Sequence, residues 1–150
     1  MRRSLGFTLI ELMVTVAVLA VIATMAAPSM SNLIEKRRYE KNARELLMTL
    51  SQAKSQAVMN RGNVNANLSS NNASSPTILN WAVVNNYTIL SISPSVPSST
   101  FIFDQNGLVS NIAVDTSITL CNSKLNIKKN IILTRLGSYI IKPDSTVSAC

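Results

Sequence analysis

Read by its apolar and polar positions, the chain changes period twice. From Gly6 to Met30 it reads GFTLIELMVTVAVLAVIATMAAPSM. It is apolar from Phe7 for about 24 residues, which at about 1.5 Å per helical residue reaches roughly 36 Å and crosses a hydrocarbon core of about 30 Å. One charge, Glu11, interrupts the run. A carboxylate in a membrane helix costs about 2.5 to 3.5 kcal/mol on insertion scales, so its presence calls for a specific compensating partner and makes Glu11 a candidate functional residue.

Beyond Met30 the apolar positions narrow to one stripe. Leu33 and Ile34, then Ala43, Leu46, Leu47, Leu50, Ala53, Ala57 and Val58, recur at helical spacing, with Glu35, Lys36, Arg37, Glu40, Lys41, Arg44 and Glu45 opposite. This predicts an amphipathic helix packed on another layer, ending at Asn60-Arg61-Gly62, where glycine is free to take the left-handed conformation. A single helix from Phe7 to Asn60 would be roughly 80 Å long. Pro28 falls inside it, removes one backbone hydrogen bond, and is expected to kink or loosen the helix locally.

From Asn63 to Pro76 the residues are mostly Asn, Ser and Ala, which predicts a mobile loop. The pattern then turns to strands. Ile78 to Val84 and Tyr87 to Ser93 flank Asn85-Asn86 as a hairpin, with Trp81 anchoring it, and Pro94 and Pro97 break the run. Further strands are expected at Thr100 to Asp104, Leu108 to Val114, Ser117 to Cys121, Ile131 to Thr134 and Ser138 to Lys142, with turns at Gln105-Asn106-Gly107 and Gly137. The fold class is α+β: a long N-terminal helix whose second half packs its stripe on a C-terminal antiparallel sheet.

The chain has 150 residues, a formal charge of +7, no histidine and two cysteines. Arg2 and Arg3 precede the apolar run, and basic flanks stay on the cytoplasmic side, so the carboxyl-terminal domain is expected across the membrane. In that oxidising compartment Cys121 and Cys150 are expected to pair as a disulfide rather than bind metal. No catalytic residues, cofactor or metal are expected: there is no Gly-rich phosphate loop, no free thiol once the cysteines pair, and the acids are scattered. Lys124, Lys128, Lys129, Arg135 and Lys142 concentrate in the last third, with two readings open. They form a phosphate-binding patch for double-stranded DNA, or they line solvated strand edges and discourage edge pairing.

Arg2-Arg3-Ser4-Leu5-Gly6 followed by Phe7-Thr8-Leu9-Ile10-Glu11 resembles the class III signal of type IV prepilins and type II secretion pseudopilins. The resemblance implies cleavage after Gly6 by a prepilin peptidase and N-methylation of the new terminal residue, Phe7, with the apolar helix kept on the mature protein. The freed amine of one subunit would then neutralise Glu11 of its neighbour during assembly. Pilins also resemble this chain in carrying a proline where Pro28 stands. The implied organisation is a leader at 1–6, a transmembrane or filament-core helix at 7–30, an amphipathic half-helix at 31–62, and a periplasmic β-rich domain at 63–150.

A helix, a polar loop, and hairpins with a Phe-x-x-x-Gly turn, Phe103 with Gly107, look like the GspH/FimT/FimU branch of minor pilins and pseudopilins. That resemblance implies a structural subunit of a pilus or of its initiation or tip complex, held in the bacterial inner membrane with its N-terminus cytoplasmic and later displayed at the cell surface. Its partners would be other pilins, through the N-terminal helix, and the peptidase. A type II secretion pseudopilin and a DNA-binding minor pilin for natural transformation are the alternatives. Some members of the branch carry a Gly-Arg-x-Arg-like motif linked to DNA binding. Here the region reads Leu133-Thr134-Arg135-Leu136-Gly137-Ser138-Tyr139, with Ser138 in place of the arginine.

Overall fold

The computed structural model describes residues 7–150, with the side chains of residues 25–29 outside that description. Arg2, Arg3 and Gly6 therefore lie outside the described residues. The chain is α+β, and it divides into two compact units, Met1–Lys36 and Arg37–Cys150.

Helix α1 (Leu9–Asn60) is assigned without interruption, and its backbone stays helical through Pro28, whose side chain is not described. In the first unit its described apolar side chains face outward all round. Phe7 is 83 % exposed, and Leu9, Ile10, Leu12, Val14, Val16, Leu19 and Ile22 are all more than half exposed. A helix that is apolar on every side has no preferred face to bury and needs cover from lipid or from other helices. Among the described residues no helix is long and apolar enough to cross a membrane. The expected span at 7–30 runs across residues 25–29, so its described side chains do not make up one unbroken run of the required length.

In the second unit α1 is amphipathic. Tyr39, Ala43, Leu46, Leu50, Ala53 and Ala57 are buried, alternating four and three residues apart on one seam. Val58, predicted on the stripe, is exposed; in the first unit Leu33 and Ile34, also predicted on the stripe, are exposed, and Glu35, predicted on the solvated face, is buried. The seam faces two sheets. The smaller has the order β2-β1-β4, from β1 (Val64–Asn67), β2 (Ile78–Asn80) and β4 (Thr100–Phe103). The larger has the order β3-β5-β6-β7, from β3 (Thr88–Ser93), β5 (Thr116–Asn122), β6 (Ile127–Leu133) and β7 (Tyr139–Ile141), with β8 (Ser145–Thr146) also on β6. Val64, Ala66, Phe101, Phe103, Ile118, Leu120, Ile131 and Leu133, all at 0 or 1 % exposure, form one core with the helix seam.

Three expectations fail for the same kind of reason. The predicted mobile loop at 63–76 contains β1, the central strand of the smaller sheet. Val64, Ala66 and Leu68 alternate with Asn65 and Asn67, so a buried face of period two lies inside an Asn-rich composition. The predicted hairpin around Asn85-Asn86 does not form. Instead β2 pairs parallel with β1, and β3 pairs antiparallel with β5 in the other sheet. Burial of Leu79 and Trp81, with the Trp81 N–H donating to the Asn67 carbonyl at 2.8 Å, draws this segment onto β1. The predicted strand at Leu108 to Val114 is irregular: one isolated bridge joins Val109 to Phe103 of β4, and the Ser110 N–H donates to the Ile102 carbonyl at 2.9 Å. There Asn111 substitutes for a strand: its Oδ1 accepts the Ile102 N–H at 2.9 Å and its Nδ2 donates to the Thr100 carbonyl at 2.7 Å.

Candidate functional site

The start of α1 has a local design that sequence reading missed. Thr8 precedes the first helical residue, and its Oγ1 accepts the Glu11 backbone N–H at 3.3 Å while its carbonyl accepts the Leu12 N–H at 3.3 Å. Thr8 is thus the N-cap and Glu11 the third helical residue. The Thr-x-x-Glu spacing before an apolar run was the available signal for a capping box. Glu11 is the acidic residue of the first turn, where the partial positive charge of the helix end favours a carboxylate. It stays exposed, so its carboxylate is open to a partner from outside the chain. Phe7 stands next to this cap and, among the described residues, is the most exposed of the large apolar side chains. Gly6, the expected cleavage position, lies outside the described residues.

In the second unit the Phe103 to Gly107 turn finds its physical reason. The Asp104 Oδ1 accepts the Asn106 and Leu108 N–H groups at 2.8 and 2.9 Å, and Gly107 takes φ +74°. A Cβ on Gly107 would come within 2.9 Å of Lys54 Cε. Gly137, at φ +66°, has its own turn against this one, where a Cβ would collide with the Gly107 carbonyl oxygen. The stem of Lys54, from α1, lies along both turns, and its Nζ donates to the Leu136 and Gly137 carbonyls at 3.1 Å each. Two glycines and one lysine thereby seat the turns after β4 and β6 on the helix. Lys54 carried no sequence signal of its own.

The disulfide joins Cys121 of β5 to the C-terminal residue Cys150, with Cα atoms 5.7 Å apart. It closes the tail that holds β8 on β6, where the Val147 N–H also donates to the Asn126 carbonyl at 2.9 Å. Tyr39 links helix and sheet through its hydroxyl, which donates to the Leu120 carbonyl at 3.2 Å. Burial, and to a smaller extent the Asp144 carboxylate, raises this hydroxyl above the ordinary tyrosine pKa.

The five basic residues are not brought onto one face. Lys128 pairs across from Cys121 and Lys129 from Leu120, so neighbours on β6 project to opposite sides of the sheet. Lys129 is held by Asp144 at 2.7 Å, and the Lys124 ammonium lies 5.4 Å from the centre of the Tyr87 ring. Arg135 follows the far end of β6, about 23 Å of strand from the turn carrying Lys124, and its N–H donates to Asp115 Oδ1 at 3.4 Å. Lys142 lies just beyond β7, with its N–H on the Asn130 carbonyl. This placement gives no support to a DNA partner.

Residues 1–27 match the prokaryotic N-terminal methylation motif, and the match supports a type IV prepilin-like protein, of the pilin or pseudopilin kind. It is a structural motif of pilins, it suggests a membrane-anchored subunit, and it implies in general assembly with other pilins and processing by a prepilin peptidase. No curated protein and no solved structure matches the chain.

Proposed function

We propose that this chain is a minor type IV pilin, a structural subunit that enters a pilus or its initiation complex by its N-terminal helix. The observation that carries the reading is the apolar surface of Phe7 and of α1 from Leu9 to Ile22, exposed on every side and lying within the match to the methylation motif. Such a surface requires lipid before assembly and neighbouring helices after it. In this reading the peptidase cuts after Gly6, the Phe7 amine is methylated, and Glu11 at the capped helix start receives the terminal amine of an adjacent subunit. Residues 7–30 hold the protein in the inner membrane with the second unit periplasmic until assembly moves it to the cell surface. Pro28 gives the helix a local weak point during that move.

Mass spectrometry of the protein from cell envelopes tests the processing: the mature chain is expected to begin at N-methylated Phe7, and Gly6→Val to retain the leader. Glu11→Ala is expected to mature normally and to disappear from purified filaments. A mature protein that begins at Met1, or Glu11→Ala filaments with unchanged content of this subunit, would refute the reading.

A further inference from the structure

The larger sheet ends at β7, and the hydrogen bonds around that strand show which of its backbone groups are spent. The Ser138 carbonyl, just before β7, accepts the Thr134 N–H at 2.9 Å, and the Lys142 N–H, just after it, donates to the Asn130 carbonyl at 2.9 Å. Alternate residues of an antiparallel strand bond to the same neighbour, so Ser138, Ile140 and Lys142 turn their backbone groups toward β6. The N–H and C=O groups of Tyr139 and Ile141 therefore point outward from the last strand of the sheet. Among the described residues no loop or side chain bonds to them, whereas the edge of β4 is closed by Asn111. Sheet edges are commonly protected by a charge or a proline within the strand. β7 has neither, and Tyr139, Ile140 and Ile141 are 41, 56 and 48 % exposed. Tyr139 and Ile141 pair with the fully buried Leu133 and Ile131, so both lie on the side of the sheet that faces α1. An open groove runs there between β7 and α1. One part, about 610 Å³, is lined by Leu47, Met48 and Tyr139, with Ser51, Gln52 and Ser55 beyond them. The adjoining part, about 270 Å³, is lined by Ala43, Leu47 and Ile141, with Glu40 and Lys129 at its end. Arg44 lines both parts. Lys129 is neutralised by Asp144, but Arg44 makes no ion pair among the described residues.

We propose that the outer edge of β7 accepts an extended strand of a partner protein, whose side chains on the groove side read apolar, acidic, apolar. Two outward N–H and C=O pairs two residues apart are the ladder that a β-strand completes, and a strand laid there turns every second side chain into the groove. The order of those side chains follows from the lining. One apolar residue packs on Met48 and Tyr139, the next on Ala43 and Ile141, and the carboxylate between them meets the Arg44 guanidinium, which lies between the two parts of the groove. The added strand also covers the face of α1 at Leu47 and Met48 that the sheet leaves open. The inference uses no residue before Glu40, so it stands or falls independently of the assembly reading.

The test is a nitrogen-15 NMR titration of the full-length chain in detergent micelles with an acetylated and amidated Thr-Val-Thr-Glu-Thr-Val-Thr peptide, read at the backbone amides of Tyr139 and Ile141. Saturable shifts of both amides are expected, with their hydrogen exchange slowed at least tenfold at saturation. The same peptide N-methylated at its Val and Glu amides, which face β7, is expected to bind at least tenfold more weakly. So is the peptide with Lys in place of Glu, and Arg44→Glu is expected to reverse that preference. Ile141→Pro removes one outward donor and no bond to β6, so it is expected to weaken binding at least tenfold with little change in the thermal midpoint. Arg44 is on the helix surface, so the charge reversal reads out the site even if Ile141→Pro does not fold. The proposal is overturned if the peptide does not saturate, if the N-methylated or Lys peptide binds as tightly, or if Arg44→Glu leaves the preference unchanged. Protection of the Tyr139 and Ile141 amides that rises with protein concentration in the absence of peptide would give the edge to a second copy of this chain, and would overturn it as well.

Discussion

The two ends of α1 solve the same problem in opposite ways. In the second unit a seam one residue wide, Tyr39 to Ala57, is closed off by two sheets, and the remaining faces are charged in the first turns and mostly polar beyond them. In the first unit the helix from Leu9 to Ile22 is apolar on all sides but for Glu11 and Thr15, and its described side chains there are exposed. A helix with one apolar stripe is completed by its own chain, whereas one apolar all round is left to its surroundings. The difference separates what stabilises this protein from what it uses to associate.

If that division is right, core substitutions in the second unit reduce folding stability and those in the first do not. Phe103→Ala, at a position 1 % exposed, is expected to cost about 3 to 5 kcal/mol in urea unfolding. Loss of the disulfide in Cys121→Ser with Cys150→Ser is expected to remove about 3.5 kcal/mol, since it closes a loop spanning 29 residues in sequence. The loss should begin with exchange of the β8 amides, measured by hydrogen exchange. Lys54→Met keeps the stem between the glycine turns and removes both carbonyl contacts, at about 1 to 2 kcal/mol.

Tyr39→Phe is a smaller change, about 1 kcal/mol near neutral pH. Its signature is alkaline. The folded state holds the Tyr39 proton to higher pH than the unfolded chain does, so this contribution is fully present below about pH 10 and is lost as pH rises from there. Unfolding followed by circular dichroism should therefore fall less steeply above pH 10 in Tyr39→Phe than in the parent. Val16→Ala, at a position 58 % exposed, is expected to shift unfolding by under about 0.5 kcal/mol while weakening micelle or filament association. A large stability loss from Val16→Ala would erase the contrast between the two units.

Much of α1 was readable before any coordinates. Its apolar run, its amphipathic stripe and its end near Asn60 follow from spacing, because each helical hydrogen bond joins residues four apart. Even the missed cap is local: Thr8 and Glu11 stand three residues from each other. Strands at Thr100–Phe103 and Thr116–Asn122 were legible as short β-rich runs for the same reason of period. Their partners were not. Ile78–Asn80 runs parallel to Val64–Asn67, and Thr88–Ser93 lies beside Thr116–Asn122, because burying Leu79, Trp81 and Leu120 decided which edges met.

The same boundary runs through the candidate sites. Glu11, Gly6 and Phe7 are defined by their neighbours in sequence, so the chain's letters were enough to single them out. Lys54 reaches Gly137 across 83 positions, and Arg44 meets Tyr139 around one groove, so neither could be recognised until the helix and sheet had packed. Backbone hydrogen bonding within a turn writes its pattern locally, but side chains that meet across a core are selected by shape and solvent exclusion, which no short stretch of sequence contains.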